Sequence, residues 1–289
     1  MKILNTTWNC CILLIVFFLV SCKQKEVQIE NSVKQKTEMK NVPLADLRTA
    51  ALKDGLDSLE LEKGQELLHQ LENASGGFDK WNHYKTGEFI MTADWYGNET
   101  NWTTNPQKFS MVCELGTYNS ELTLLNGPQK DNTWKIKNDK SYAINKEGNQ
   151  SLDMNEMILH KNRYKSYWFQ LPFRLREASI IASAGEKTIN NVNYDVLFIT
   201  WKSVEPNPEY DQYMIYLNKD THLISCLEFT LREAHPMATG VSKFENYKEQ
   251  NGIVLPTSQY ITQGTLDKPR TKLHENHISE FYFEPVRHN

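Results

Sequence analysis

A reaction centre needs several polar side chains converging on one point, and few segments of this chain offer that. The close histidine pair is His274-Glu275-Asn276-His277. A metal would need both rings within about 2 Å of one ion. On a strand, positions three apart point to opposite faces, so the pair reads as two solvated edge histidines rather than a metal site. Glu205, Glu209 and Asp211 are close enough for acid–base chemistry, but they fall in the proline-rich stretch VEPNPEYD, where carboxylates are ordinarily solvated. The Gly-x-Ser-x-Gly elbow of serine hydrolases is absent. Gly76-Gly77 lacks the further glycines and lysine of a phosphate loop and reads as a helix C-cap. The residues therefore nominate no catalytic group, no metal and no cofactor.

The aromatic side chains suggest binding. Trp95, Trp134 and Trp168, together with Met157, Tyr164, Phe173 and Phe198, form a candidate lining for an apolar cavity. Ordinary core packing is the alternative for each of them. Cys113 and Cys226 sit in strand-like segments, either as a disulfide or as two buried free thiols.

These residues need elements to hold them. Leu59, Leu67, Leu68 and Leu71 recur at helical spacing and predict one or two helices over Leu44–Glu72, stopped by Gly76-Gly77. The period then changes to two: Phe89, Met91, Ala93 and Trp95 alternate with Glu88, Ile90, Thr92 and Asp94, as in a half-buried strand. Further strands are expected at Lys108–Leu115, Glu121–Leu125, Thr133–Ile136 and Ser141–Ile144. Met154, Met157, Ile158, Tyr164, Tyr167 and Trp168 mark a central helix that Pro172 should end. Strands resume at Tyr194–Trp201, Gln212–Leu217, Leu223–Leu231, Val241–Tyr247, Ile253–Tyr260 and His277–Phe283. About 11 strands in a meander with helices before and amid them predict a mainly β (α+β) domain over 44–289, a single curved antiparallel sheet covered by helices.

The N-terminus has a different character. Lys2 precedes the apolar run Cys10–Val20, which as a helix reaches only roughly half of a bilayer core. Leu19-Val20-Ser21-Cys22 resembles the lipobox of bacterial lipoproteins. That resemblance implies a signal peptide over 1–21, cleavage before Cys22, and acylation of Cys22 as the membrane anchor. Lys23, where inner-membrane retention calls for Asp, implies the outer membrane, with the domain facing the periplasm. Residues 22–43 are polar, mixed in charge and without apolar periodicity, as in a disordered tether. A net charge of −4, without a long basic run, argues against nucleic acid as a partner.

Ser75-Gly76-Gly77-Phe78-x-x-Trp81-x-x-x-Lys85-Thr86, then Tyr167-Trp168-Phe169-x-Leu171-Pro172-Phe173, and finally Gly252-x-x-Leu255-Pro256 follow one another in an order that resembles a family of uncharacterised bacterial outer-membrane lipoproteins. That family is related to the lipoprotein-sorting proteins LolA and LolB. The resemblance implies a curved half-barrel with helices on its concave face, holding an acyl chain or lipid between sheet and helices without catalysis. A structural module that meets an envelope protein partner is the competing expectation, and an envelope hydrolase a more distant one.

Overall fold

The computed structural model describes residues 43–96, 104–152, 156–232 and 235–286. Cys22, the leader and nearly all of the expected tether lie outside them, as does Met154, and the side chain of Met157 is likewise outside the description. Ala45–Asn289 is one of two units into which the chain divides, and it contains every strand and both hydrophobic cores.

A short helix α1 (Ala50–Lys53) precedes α2 (Ser58–Ala74). Asp57 starts α2 with a capping box: its carboxylate accepts from the Glu60 amide, and the Glu60 side chain accepts from the Asp57 amide. Leu67, Leu68 and Leu71 are buried as the periodicity predicts, but Leu59 is 70% exposed, because the inward stripe begins only at Gly64. A Cβ at Gly64 would stand 2.5 Å from the Ile181 carbonyl, so the glycine lets α2 lie directly on the sheet. A turn of helix, α3 (Phe78–Trp81), leads into the sheet.

All strands form one antiparallel sheet. The first meander is β1 (Tyr84–Trp95), β2 (Gln107–Glu114), β3 (Ser120–Leu124), β4 (Thr133–Lys137), β5 (Lys140–Ile144) and β6 (Gln150–Leu152). The chain then runs through α4 (Glu156–Phe169), α5 (Leu171–Arg174) and a 3-10 turn at Leu175–Glu177. The second meander is β7 (Ile180–Ile189), β8 (Val192–Thr200), β9 (Gln212–Asn218), β10 (Ile224–Thr230), β11 (Thr239–Gln250), β12 (Ile253–Thr265) and β13 (Lys268–Pro285). The strand order is β6-β5-β4-β3-β2-β1-β13-β12-β11-β10-β9-β8-β7. The sheet is curved but not closed, since β6 and β7 are its two edges. As these edge strands are consecutive in the chain, the helical segment between them has to cross from one edge of the sheet to the other.

The sheet has 13 strands rather than about 11. The two additional strands are the edges themselves. β6 has three residues, too few for a periodic signal. β7 reads IIASAGEKTI, with small residues at its centre and a register shift between Ser183 and Glu186, so it lacks the alternation of large apolar side chains that marked its neighbours.

The face under the helices, here called the inner face, carries the main core, with Phe89, Met91, Phe109, Met111, Leu197, Ile215, Leu255, Phe281 and Phe283 packed on Trp168, Phe169 and Leu171. A second, smaller core lies on the other face of β7–β10, where Val196, Phe198, Met214 and Cys226 are covered by Leu52. Cys113 and Cys226 are both buried free thiols, which corrects the disulfide alternative. Their strands, β2 and β10, stand five places apart in the sheet, about 24 Å at roughly 4.8 Å per strand. Their side chains also belong to opposite faces. A disulfide requires Cα atoms within about 7 Å.

Candidate functional site

The helix α4 lies on the inner face, and its described side chains, Lys161–Phe169, are buried or half-buried all round. One stripe anchors it to the first meander. Asn162 Nδ2 donates to the Trp134 carbonyl at 2.9 Å, and beyond the helix end Gln170 donates to Ser166 Oγ at 2.9 Å while accepting from the Gly116 amide at 2.7 Å. The adjoining stripe is Lys161, Tyr164, Lys165 and Trp168, from which Tyr164 and Lys165 reach β12 and β13 of the second meander.

Below this second stripe the inner face has two chemically distinct ends. At the α5 end the packing is aromatic. Phe169 stacks on Phe89 with centroids 4.5 Å apart and lies 5.8 Å from Phe283, and Phe173 stacks on Trp81 at 4.3 Å. Gly87 makes room for this cluster: a Cβ there would stand 2.5 Å from the Phe169 ring. A groove of about 270 Å³ opens beside Trp81, Tyr84 and Phe173. The arginines at its rim are already engaged, Arg176 with both Glu72 carboxylate oxygens at 2.8 Å and Arg174 with Glu177.

At the opposite end, where Trp95 and His274 pair across β1 and β13, the inner face is polar. Lys165 is 1% exposed. Its ammonium donates to Asn276 Oδ1 at 2.5 Å and otherwise meets ring faces, Tyr164 at 5.1 Å and Trp95 at 5.9 Å to the centroids. The amide of Asn276 passes the connection on, donating to Gln259 Oε1 at 2.8 Å. That oxygen also accepts from the Tyr164 hydroxyl at 2.9 Å, and Gln259 Nε2 donates to Ser242 Oγ at 3.1 Å. Lys161 lies 5.7 Å over the Trp95 ring, which also meets His274 at 3.6 Å between centroids. The buried His274 Nδ1 has no hydrogen-bond partner among the described residues. Among the described residues no carboxylate is paired with Lys165.

This environment disfavours positive charge. Burial lowers the Lys165 pKa to about 7, with repulsion from Lys161 adding to it. Burial lowers Lys161 to about 8. His274 is held at about 3 by burial first and by the two lysines second, so its ring is neutral at any ordinary pH.

The seven residues nominated from sequence are thus divided. Trp95 and Tyr164 line the polar end, and Trp168 lies in the main core along the same helix stripe. Phe173 belongs to the aromatic end, while Trp134 packs at the margin of the main core and holds α4 through its carbonyl. Phe198 is not part of this face: residues of β8 alternate, and Leu197 and Ile199 point inward while Phe198 points into the second core. His274, expected to be solvated, is instead tucked against Trp95, although His277 does face the other way, toward Ser258 and Tyr260. Lys161, Lys165, Asn276, Gln259 and Ser242 were not nominated. The two lysines share the helical spacing of Tyr164 and Trp168, and a charged pair on the apolar stripe of a covering helix is the signal that would have found them.

A family model matches residues 73–274, from the end of α2 to His274 in β13. The chain belongs to DUF6503, a family of unknown function. No curated protein matches this DUF6503 chain in sequence. Among solved structures it is similar to a LolA superfamily protein from Nitrosomonas europaea, with 9% identity, a TM-score of 0.52, and coverage of 78% of this chain and 94% of that one. It is also similar to a DUF1329 family protein from Desulfovibrio piger, with 10% identity, a TM-score of 0.50, and coverage of 78% and 93%. At such identities the likeness is one of fold, and it makes the DUF6503 sheet LolA-like.

Proposed function

We propose that this protein is an envelope lipoprotein, held on the outer membrane through acylated Cys22, that binds an acyl-bearing ligand between its curved sheet and α4 without catalysing a reaction. The observation that carries the reading is the inner face of a LolA-like sheet covered by helices, where the contact stripe of α4 combines Trp168 with polar groups that an ordinary core would exclude. Trp168 and Phe169 occupy the space an acyl chain would take, so binding requires α4 to lift and the chain to replace these aromatic contacts. The side-chain hydrogen bonds that hold α4 contribute only about 1 kcal/mol net each, and a ligand that buries apolar surface in place of Trp168 and Phe169 offsets the loss of their contacts.

Native mass spectrometry of gently purified protein tests this. A one-to-one lipid adduct, lost in Trp168→Glu while the circular dichroism spectrum is kept, is the expected result. A second reading, a packed scaffold that meets an envelope protein partner, draws on the tight aromatic packing beneath α4. A clean apo mass that also ignores added palmitate decides for it.

A further inference from the structure

We infer that the polar end of the inner face is an oxyanion site, built to take the carboxylate or phosphate head of an acyl-bearing ligand on Lys165, with Lys161 and His274 beside it. The inference rests on the ligand-binding reading above and names the chemistry of the ligand's head. An ammonium has three N–H donors. Among the described residues, that of Lys165 has one acceptor, Asn276 Oδ1, and beyond it the faces of Trp95 and Tyr164. Every titratable group shown facing Lys165 is cationic or neutral: Lys161 and Tyr164 on its own helix and His274 on β13.

The surrounding amides are already engaged with one another. Gln259 Oε1 is shared by Asn276 and Tyr164, and Gln259 Nε2 is spent on Ser242. The network therefore fixes the position of Asn276, and through it Lys165, without neutralising the charge. Among the described residues, Lys165 meets no acceptor with negative charge. A carboxylate or phosphate oxygen meeting Lys165 would make short charge-assisted bonds in a water-poor setting, and His274, packed against Trp95, is a neutral donor or acceptor whose buried Nδ1 has no hydrogen-bond partner among the described residues. The order of chemistry along α4 then fits one amphiphile: its head lies at Lys165 and its chain runs past Trp168 toward Phe169 and Phe89.

The test is a set of titrations on the chain from Lys23 onward, which keeps the whole unit Ala45–Asn289 with its two cores and so folds without the leader. Palmitate, hexadecanol and inorganic phosphate are added separately, and intrinsic tryptophan fluorescence is read. The expected result is palmitate binding at least about tenfold tighter than hexadecanol, with the difference removed by Lys165→Met. Asn276→Asp, which places a carboxylate of the protein's own beside Lys165, is expected to keep the fold and lose the same difference. Equal binding of palmitate and hexadecanol, unchanged in Lys165→Met, overturns the oxyanion site and leaves the ligand-binding reading standing. Phosphate bound as tightly as palmitate in a Lys165-dependent manner, with hexadecanol ignored, keeps the oxyanion site and overturns the acyl ligand. Failure of all three probes to bind overturns both.

Discussion

The two ends of the inner face both bury side chains of the covering helical segment, Lys165 at one and Phe169 and Phe173 at the other, yet they are built on opposite terms. At the aromatic end every contact that excludes water also stabilises the fold: Phe169 on Phe89, Phe173 on Trp81, Phe281 and Phe283 around them. At the polar end a buried ammonium has an amide oxygen and two ring faces for company. Burying a cation without a counter-charge costs free energy that well-packed apolar residues would not. The first end is explained by folding alone, and the second is not.

The comparison can be broken most forcefully at its aromatic half. Phe169→Ala should cost about 3–5 kcal/mol of stability, read as a fall in the urea midpoint, because it removes a large buried ring and leaves a cavity among rings that cannot collapse. Gly87→Ala should cost less, roughly 1–3 kcal/mol, since the new methyl meets the Phe169 ring at 2.5 Å and forces it to shift.

At the polar half the sign reverses. Lys165→Met should leave the protein unharmed or stabilise it by roughly 1–4 kcal/mol at pH 6. The pH dependence follows from the depressed pKa. Unfolded lysine holds its proton up to about 10.4, while folded Lys165 releases it at about 7. Between these values the unfolded state binds more protons, so stability rises with pH, by up to about 1.4 kcal/mol per pH unit. Urea unfolding from pH 6 to 10 should show this rise in the natural protein, and Lys165→Met should retain only the contribution of Lys161. His274 acts in a separate window, its depressed pKa removing stability as pH falls from about 6.5 toward 3. The smallest expected effect is that of a reductant: with Cys113 and Cys226 free, the midpoint should not move, and the denatured protein should show both thiols reactive.

Much of the fold was legible. The alternation in β1, the helix over α2 and the end of α4 before Pro172 all follow from period and punctuation. β6 and β7 were not legible because edge strands bury one flank only and carry weak patterns. The site was only half legible. Aromatic positions on α4 and β1 stood out, but a lysine in a helix reads as solvated unless its stripe is followed turn by turn, and Lys165 shows why it should be. Asn276 and Gln259 gave no signal, since their partnership exists only through the register of β12 with β13. Phe198 misled for the opposite reason: both faces of β8 are buried, so an apolar run there does not say which side a residue serves.

The contrast between the two ends rests on the charge state of one nitrogen. A heteronuclear NMR titration of the Lys165 side chain, assigned by its loss in Lys165→Met, follows that charge directly. The midpoint should lie near 7 in the free protein and rise when palmitate is added. A midpoint near the ordinary lysine value of about 10.4, unmoved by palmitate, would mean that Lys165 already has its counter-charge or its water, and the polar end would then be no site at all.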